Sequence, residues 1–497
     1  MNRSSYQHPP LQIGWSAADI TPEGSVNLHG QHFARVSEGV RDPLMAIILA
    51  LSSGDNTSSA VLLISCDLCI ISVSLRNRVR ELITAACPGL HPESIILNAT
   101  HTHTGPVAFI PSDITARDGA PLPPEEIPLP VMNPADYVDW AARQIADAAR
   151  NAWRNRSYGS IGYGLGSAVV GHNRRTAYND GSSRMYGDTA TDTFSHIEGW
   201  EDHDVNLLAA WNSDGALSGV VINVACPSQT DECIFEVSAD FWHDVRAELR
   251  QRLGPDIFVL SQCSTAGDQS PHRLWAKDAA ERMQRLSRQT VRQRIARRIA
   301  DAVEDVLPCA KSDRLSNPVL RHRVETVPLT RWQISDAEVD QAEAQAAPFR
   351  GDFEQLRKEM EANPDVRRQP RWYVPLTRAY AKWCFFARVK SRYDYLQKET
   401  HLPTELHVIR IGDVVIATNP FECYLDYGIQ IKARSPAIQT FLVQLAGQGS
   451  YLPTARSVSG SGYGSAPSSS LVGPEGGDEL VEWTVRAITT LFASNKE

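Results

Sequence analysis

The chain has 497 residues, 42% apolar and 22% charged, with a net charge of −9 and a sequence pI near 5.9. This balance supplies enough apolar surface for a large core, which excludes a largely disordered polymer, and it lacks the bulk positive charge of a nucleic-acid surface. No run approaches the ~20 apolar residues of a membrane span, residues 1–15 carry no apolar signal core, and nine scattered cysteines read as reduced thiols, so a soluble cytoplasmic protein is expected.

In chain order, LQIGWSAADIT from residue 11 predicts a strand ending in a turn, and MAIILALSS and SAVLLISCDLCII predict buried strands. SLRNRVRELITAAC has helical spacing with Ser74 as its candidate N-cap. SIILNAT predicts another strand that delivers THTHTGP at its C-terminal end, where ligands gather in α/β sheets. A long Pro-rich loop (111–134) and an amphipathic helix (135–155) follow. GVVINVACPSQ and DIFVLSQCSTAGDQSPH are two further strand-to-loop units, and 281–306 is an Arg-rich helical stretch with a solvated charged face. Residues 336–402 predict a helical insertion of two charged helices and one aromatic helix, a candidate lid. HVIRIGDVVIATNPFE resumes the sheet, and the Gly/Ser-rich stretch 457–470, which contains Tyr463, predicts an ordered site loop before a last helix. No internal repeat is visible. The expectation is one α/β catalytic domain with a large mixed sheet, spanning 11–335 and 403–494, interrupted by the insertion.

His101 and His103 alternate at the end of a strand, which puts both imidazoles on one face, and neutral imidazole is a good zinc ligand. A hydrogen-bonded threonine-rich loop is the plainer alternative. Cys226 reads either as a ligand or as a small buried hydrophobe, and Asp240 and His243 share a helix face. Asp268, Ser270 and His272 sit on a turn after a strand, and Glu422 follows an apolar strand directly. Tyr451 and Tyr463 lie in glycine-rich loops, where aromatic packing is the alternative to a site role.

Taken in order, GWSAADIT, SCDLC, THTHTGP, GHNRRTAY, the SAD segment, GDQSP, NPFE and two tyrosines twelve residues apart resemble the catalytic domain of the neutral (neutral/alkaline, non-lysosomal) ceramidases, over nearly the whole chain. The resemblance implies a zinc ion held by His101, Glu422 and Tyr451, with Cys226 standing where the family has its second histidine; Asp240 or His243 is the alternative fourth ligand. It also places the second histidine of the motif at His103, the site arginine at Arg174 and the proposed serine nucleophile at Ser270. On this reading His103 relays protons, Arg174 and Tyr463 stabilise an oxyanion, and Asp240 and Asp268 contact substrate. The expected reaction is zinc-dependent hydrolysis of an amide (N-acyl) bond in a small-molecule substrate smaller or more polar than ceramide. The rivals are a metal-dependent hydrolase or lyase acting on a sugar-like metabolite, and a non-catalytic binding protein. Neither nucleic acid nor an integral membrane segment is expected.

Overall fold

The structure is a computed structural model that describes residues 8–54, 56–113 and 127–493. Most of the predicted Pro-rich loop, 114–126, lies outside the described residues.

Eight strands form one sheet: β1 (Leu11–Asp19), β2 (Met45–Ser53), β3 (Asn56–Cys66), β4 (Ile95–Ala99), β5 (Ser157–Ser167), β6 (Asp204–Asn212), β7 (Leu217–Val224) and β8 (Phe258–Cys263). Their order across the sheet is β8-β7-β6-β5-β1-β2-β3-β4, with β3–β4 and β7–β8 parallel and the other pairs antiparallel. A second sheet is built from β9 (Leu320–Thr330), β10 (His401–Ile411), β11 (Val414–Thr418) and β12 (Gln439–Val443), in that order, and only β11–β12 is parallel. HVIRIGDVVIAT therefore does not resume the first sheet. It starts the hairpin of another, because its alternate residues Ile409, Ile411, Val414 and Ile416 pack face to face against Leu49, Leu51, Leu63 and Val221 of the large sheet.

Helices cover the outer faces. α1 (Val73–Ala86) and α2 (Pro134–Arg154) pack on β1–β4, α3 (Phe241–Leu253) and α4 (Val291–Ser312) on β5–β8, and α7 (Leu425–Arg434) and α8 (Pro474–Ala493) on the second sheet. The layers run helix, sheet, sheet, helix. The approach of α4 to β5 explains the glycines of SYGSIGYGLGS: a Cβ on Gly162 would lie 2.1 Å from the Ala310 carbonyl oxygen.

One topology occurs three times: a strand, a long connection, a hairpin, a helix, a strand parallel to the hairpin's second strand, and a closing helix. The units are β1–β4 with α1 and α2, β5–β8 with α3 and α4, and β9–β12 with α7 and α8. No sequence repeat announces this, because topology depends on the apolar period and on turns while each unit fills its own core with different side chains. The long connections differ most, and the third of them holds the helical insertion.

That insertion has two long helices, not three. α5 (Asp336–Ala362) runs straight through Pro348, and α6 (Tyr373–Leu396) returns along it. Val339 and Ala342 pack against Val389 before the proline, and Phe353 packs against Leu376 and Ala379 after it, so tertiary packing carries the helix past a residue that removes one backbone bond. The Arg-rich stretch is conversely broken: a helix over Lys277–Ser287 ends at Arg288 (φ +55°), and Thr290 caps α4 in a reciprocal box with Gln293. The cap of α1 is Ser72, which accepts from Leu75 N, while Ser74 bonds to Asp113. All nine cysteines are unpaired thiols. Among the described residues, no helix is long and apolar enough to cross a membrane.

The first and third units are joined by a buried polar chain. His322 Nε2 lies 3.0 Å from His407 Nδ1, His407 Nε2 lies 3.0 Å from Glu405 Oε1, and Arg80 donates to both Glu405 oxygens. Burial and the neighbouring His407 and Arg80 push His322 down to about 3. The unfolded chain takes up this proton near pH ~6.5 and the folded chain does not. Stability is therefore expected to fall as pH drops from ~6.5 toward ~3, by up to ~1.4 kcal/mol per pH unit from this residue. Urea titrations of the wild type and His322→Gln across that range should show the shallower pH slope in the variant.

Candidate metal centre and active site

The site forms where the three units turn out of their parallel strand pairs. After β4 the chain leaves extended geometry at once: His101 has φ +65°, its N–H donates to Leu68 O at 3.0 Å, and its Nδ1 lies 2.7 Å from Cys69 O. Strand alternation is thus not what aligns the two histidines. A left-handed turn swings His101 so that its ring meets His103 edge-on, with the two Nε2 atoms 3.4 Å apart. The third unit supplies Glu422 and Tyr451, which are register partners in a short parallel bridge. The second unit supplies Arg174 from its long connection, Gln229 and Glu232 from the loop after β7, and Ser270 from the loop after β8.

Glu422 Oε2 lies 3.2 Å from His101 Nε2 and 3.8 Å from Arg174 Nη2. Arg174 also donates to Tyr451 OH (3.1 Å), Gly267 O (2.9 Å), Tyr186 OH (3.1 Å) and Gln229 Oε1 (3.2 Å). Because the Gln229 oxygen accepts from Arg174, its amide nitrogen donates to His103 Nε2 at 2.7 Å, which leaves the His103 proton on Nδ1, 3.3 Å from Glu232 Oε2. Cys69 Sγ stands 3.7 Å from His101 Nδ1. Burial would push this thiol up, but His29, His101 and His103 around it win and hold it well below the ordinary range. Burial likewise disfavours a charged His101, yet Cys69 and Glu422 outweigh it and raise its pKa well above normal.

These residues fit a cation. The Cys69 carbonyl takes the Nδ1 proton of His101, so Nε2 is the nitrogen that faces a carboxylate oxygen and a second ring nitrogen. Lone pairs so arranged repel unless a proton or a metal ion lies among them. Tetrahedral zinc with bonds of ~2.0–2.2 Å keeps its ligand atoms ~3.3–3.6 Å apart, close to the spacing here. Cys69, His101 and His103 also form a group whose donor atoms all lie within 4.8 Å of one another.

Cys226 stands outside that group. It is fully buried among Val224, Phe241 and Trp242, its Sγ is directed at Pro227 O (3.5 Å), and burial holds the thiol well above its usual range. Asp240 caps α3, and its carboxylate accepts from Phe241 N, Asp231 N and Thr230 Oγ1; His243 lies in the first turn of the same helix, its N–H on Asp240 O. Asp268 accepts from Asn173 Nδ2 and from Leu425 N at the start of α7. Ser270 is fully buried, and its Oγ accepts from Tyr186 OH and His272 N, both at 3.1 Å. Tyr463 places its ring 5.4 Å from that of Tyr451, in a loop pinned by Arg175, which donates to the carbonyls of Ser457, Ser461 and Tyr463.

Sequence reasoning passed over Cys69, Gln229, Glu232 and Tyr186. The available signal was position: Cys69 and Gln229 both follow closely on buried strands. Tyr186 has φ +55°, a conformation rare outside glycine and invisible in sequence.

Two solved structures share this architecture. Neutral ceramidase from Pseudomonas aeruginosa aligns over 96% of this chain and 74% of its own, with a TM-score of 0.65 and 15% identity. A ceramidase complexed with C2 aligns over 98% of this chain and 76% of its own, with a TM-score of 0.65 and 14% identity. The chain has the neutral ceramidase fold. No family model matches its sequence, and no curated protein does. The expected fold class, an α/β unit with a large mixed sheet, is present. The insertion rests on the segment around His32: Val36 N donates to Tyr373 OH, Ala34 N to Thr377 Oγ1, and Arg371 pairs with Glu38.

The two thiols make a direct comparison. Iodoacetamide labelling followed by mass spectrometry is expected to show Cys69 modified only after a chelator has stripped the protein, and Cys226 unmodified in both states. Equal labelling of Cys69 with and without chelator would remove it from the metal centre.

Proposed function

We propose that the chain is a zinc-dependent hydrolase of the neutral ceramidase type that cleaves an amide bond in a single-acyl substrate smaller or more polar than ceramide. The observation that carries this reading is the contact of the buried His101, through Nε2, with Oε2 of the half-buried Glu422 at 3.2 Å, beside Tyr451 at the strand ends. His101, Glu422 and Tyr451 would hold the ion, with Cys69 as the neighbouring donor. Bound zinc supplies a polarised carbonyl and an acidified water.

The remaining chemistry belongs to the chain. Arg174, fixed by Gln229, Tyr186 and Gly267, holds the Tyr451 phenol oxygen and places positive charge where the substrate oxygen turns negative. His103 faces Glu232 with Nδ1 and Gln229 with Nε2; when Nε2 exchanges Gln229 for the attacking water it takes that water's proton, Glu232 balances the resulting imidazolium, and the same nitrogen returns the proton to the leaving amine. Ser270, held by Tyr186, orients the substrate, and Tyr463 closes the site beside Tyr451. Residues 336–402 form a lid on the catalytic unit.

Metal analysis of the purified protein should find about one zinc per chain. Short N-acyl amides should be hydrolysed by the wild type and not by His103→Ala. A metal-free protein with full activity would overturn the reading, and efficient turnover of long-chain ceramide that disappears in His103→Ala would replace the smaller substrate with ceramide.

A further inference from the structure

A cavity of about 410 Å³ opens between the insertion and the 461–468 loop. This is within the range of small-ligand pockets, ~300–1,000 Å³. Its apolar walls are Trp332, Phe349, Phe385, Phe386, Val389 and Val458, and the polar side chains of Lys382 and Gln345 also line it. Tyr463 and His32 also line it; their rings both meet Phe385 (centroids 5.6 and 5.2 Å), and the Tyr463 ring touches that of Tyr451. Tyr463 is thus shared between the cavity wall and the surroundings of Tyr451. Two of its walls, α5 and α6, belong to the insertion.

We propose that this cavity binds the acyl chain of the substrate, a single apolar chain of medium length, and that the insertion thereby sets substrate specificity. The inference rests on the amide-hydrolase reading above and adds to it the side of the scissile bond that the cavity takes. The amine product carries a charge and needs an acceptor. The one carboxylate lining the cavity, Glu338, is already engaged by Trp332 Nε1, Ser335 N and Ser335 Oγ. Glu232, by contrast, stands beside His103, where the leaving amine takes up its proton. The aromatic walls offer a fatty acyl chain apolar contact, and Lys382, whose ammonium already lies 5.1 Å from the Phe349 ring centroid, repels a second ammonium there.

The test separates this inference from the reading beneath it. Acetate and octanoate are titrated calorimetrically into the full-length metal-loaded protein; both carboxylates share the headgroup, so the ratio of their affinities reports the cavity. Octanoate is expected to bind about 100-fold more tightly, the order given by burying several methylenes. Gln345→Trp fills the cavity from an exposed helical position, so the fold should be kept, and it should reduce the ratio to near one while leaving acetate binding unchanged. Equal binding of the two carboxylates, or a ratio untouched by Gln345→Trp, overturns the inference. In parallel, N-acetyl and N-octanoyl amides of one amine, and the N-acetyl amide of octylamine, are assayed. A preference for N-octanoyl supports the acyl assignment, and a preference for N-acetyl-octylamine overturns it. If octanoate binds as expected but no amide is hydrolysed, the cavity stands and the amide-hydrolase reading fails.

Discussion

His101→Gly is expected to remove the bound metal and to lower turnover by about 1,000-fold, because the loss of Lewis-acid stabilisation amounts to several kcal/mol of barrier. Glycine is the better probe than alanine. His101 has φ +65°, a left-handed conformation that costs a side chain ~1–2 kcal/mol and costs glycine little. The metal-free glycine variant should therefore be at least as stable as the metal-free His101→Ala variant, while both lose the metal. Elemental analysis, thermal unfolding of the stripped proteins and turnover on a short N-acyl amide measure the three quantities. Full metal content in either variant would show that His101 is not a ligand.

Arg246→Met is expected to cost the fold about 3–5 kcal/mol, the usual penalty for leaving a buried carboxylate without its partner. Arg246 pairs with Asp67, and both are almost completely buried. Asp67 also accepts from Met45 N at 2.9 Å and from Thr100 Oγ1 at 3.3 Å, so it ties β2 to the residue preceding His101. Urea unfolding should show the loss as a lower midpoint with an unchanged slope. Asp67→Asn in the same chain should recover much of it, since the uncompensated charge is then gone. A loss below ~1 kcal/mol would mean that solvent reaches Asp67 in the variant.

The strands of THTHTGP, SCDLC, NVACPSQ and NPFE were legible in the sequence because each is a short apolar run closed by turn residues, and the period of apolar residues is a local property. The residue types at those strand ends were legible for the same reason, and they led to His101, His103 and Glu422; Tyr451 stood in a glycine-rich loop, and Arg174 was singled out by the family resemblance alone. Which of these meet was not. His101 meets His103 through a left-handed turn, and Glu422 meets Tyr451 through a parallel bridge between segments 29 positions apart in number (451 − 422 = 29). Cys69 and Cys226 look alike in sequence, each at the end of a buried strand. Only the fold surrounds Cys69 with imidazoles and Cys226 with Val224, Phe241 and Trp242. The second sheet, the threefold topology and the two-helix insertion were decided in the same way. Apolar patterning states that a face must be buried and is silent about which other face covers it, so the pairing of faces, and with it the site between the three units, exists only in the tertiary structure.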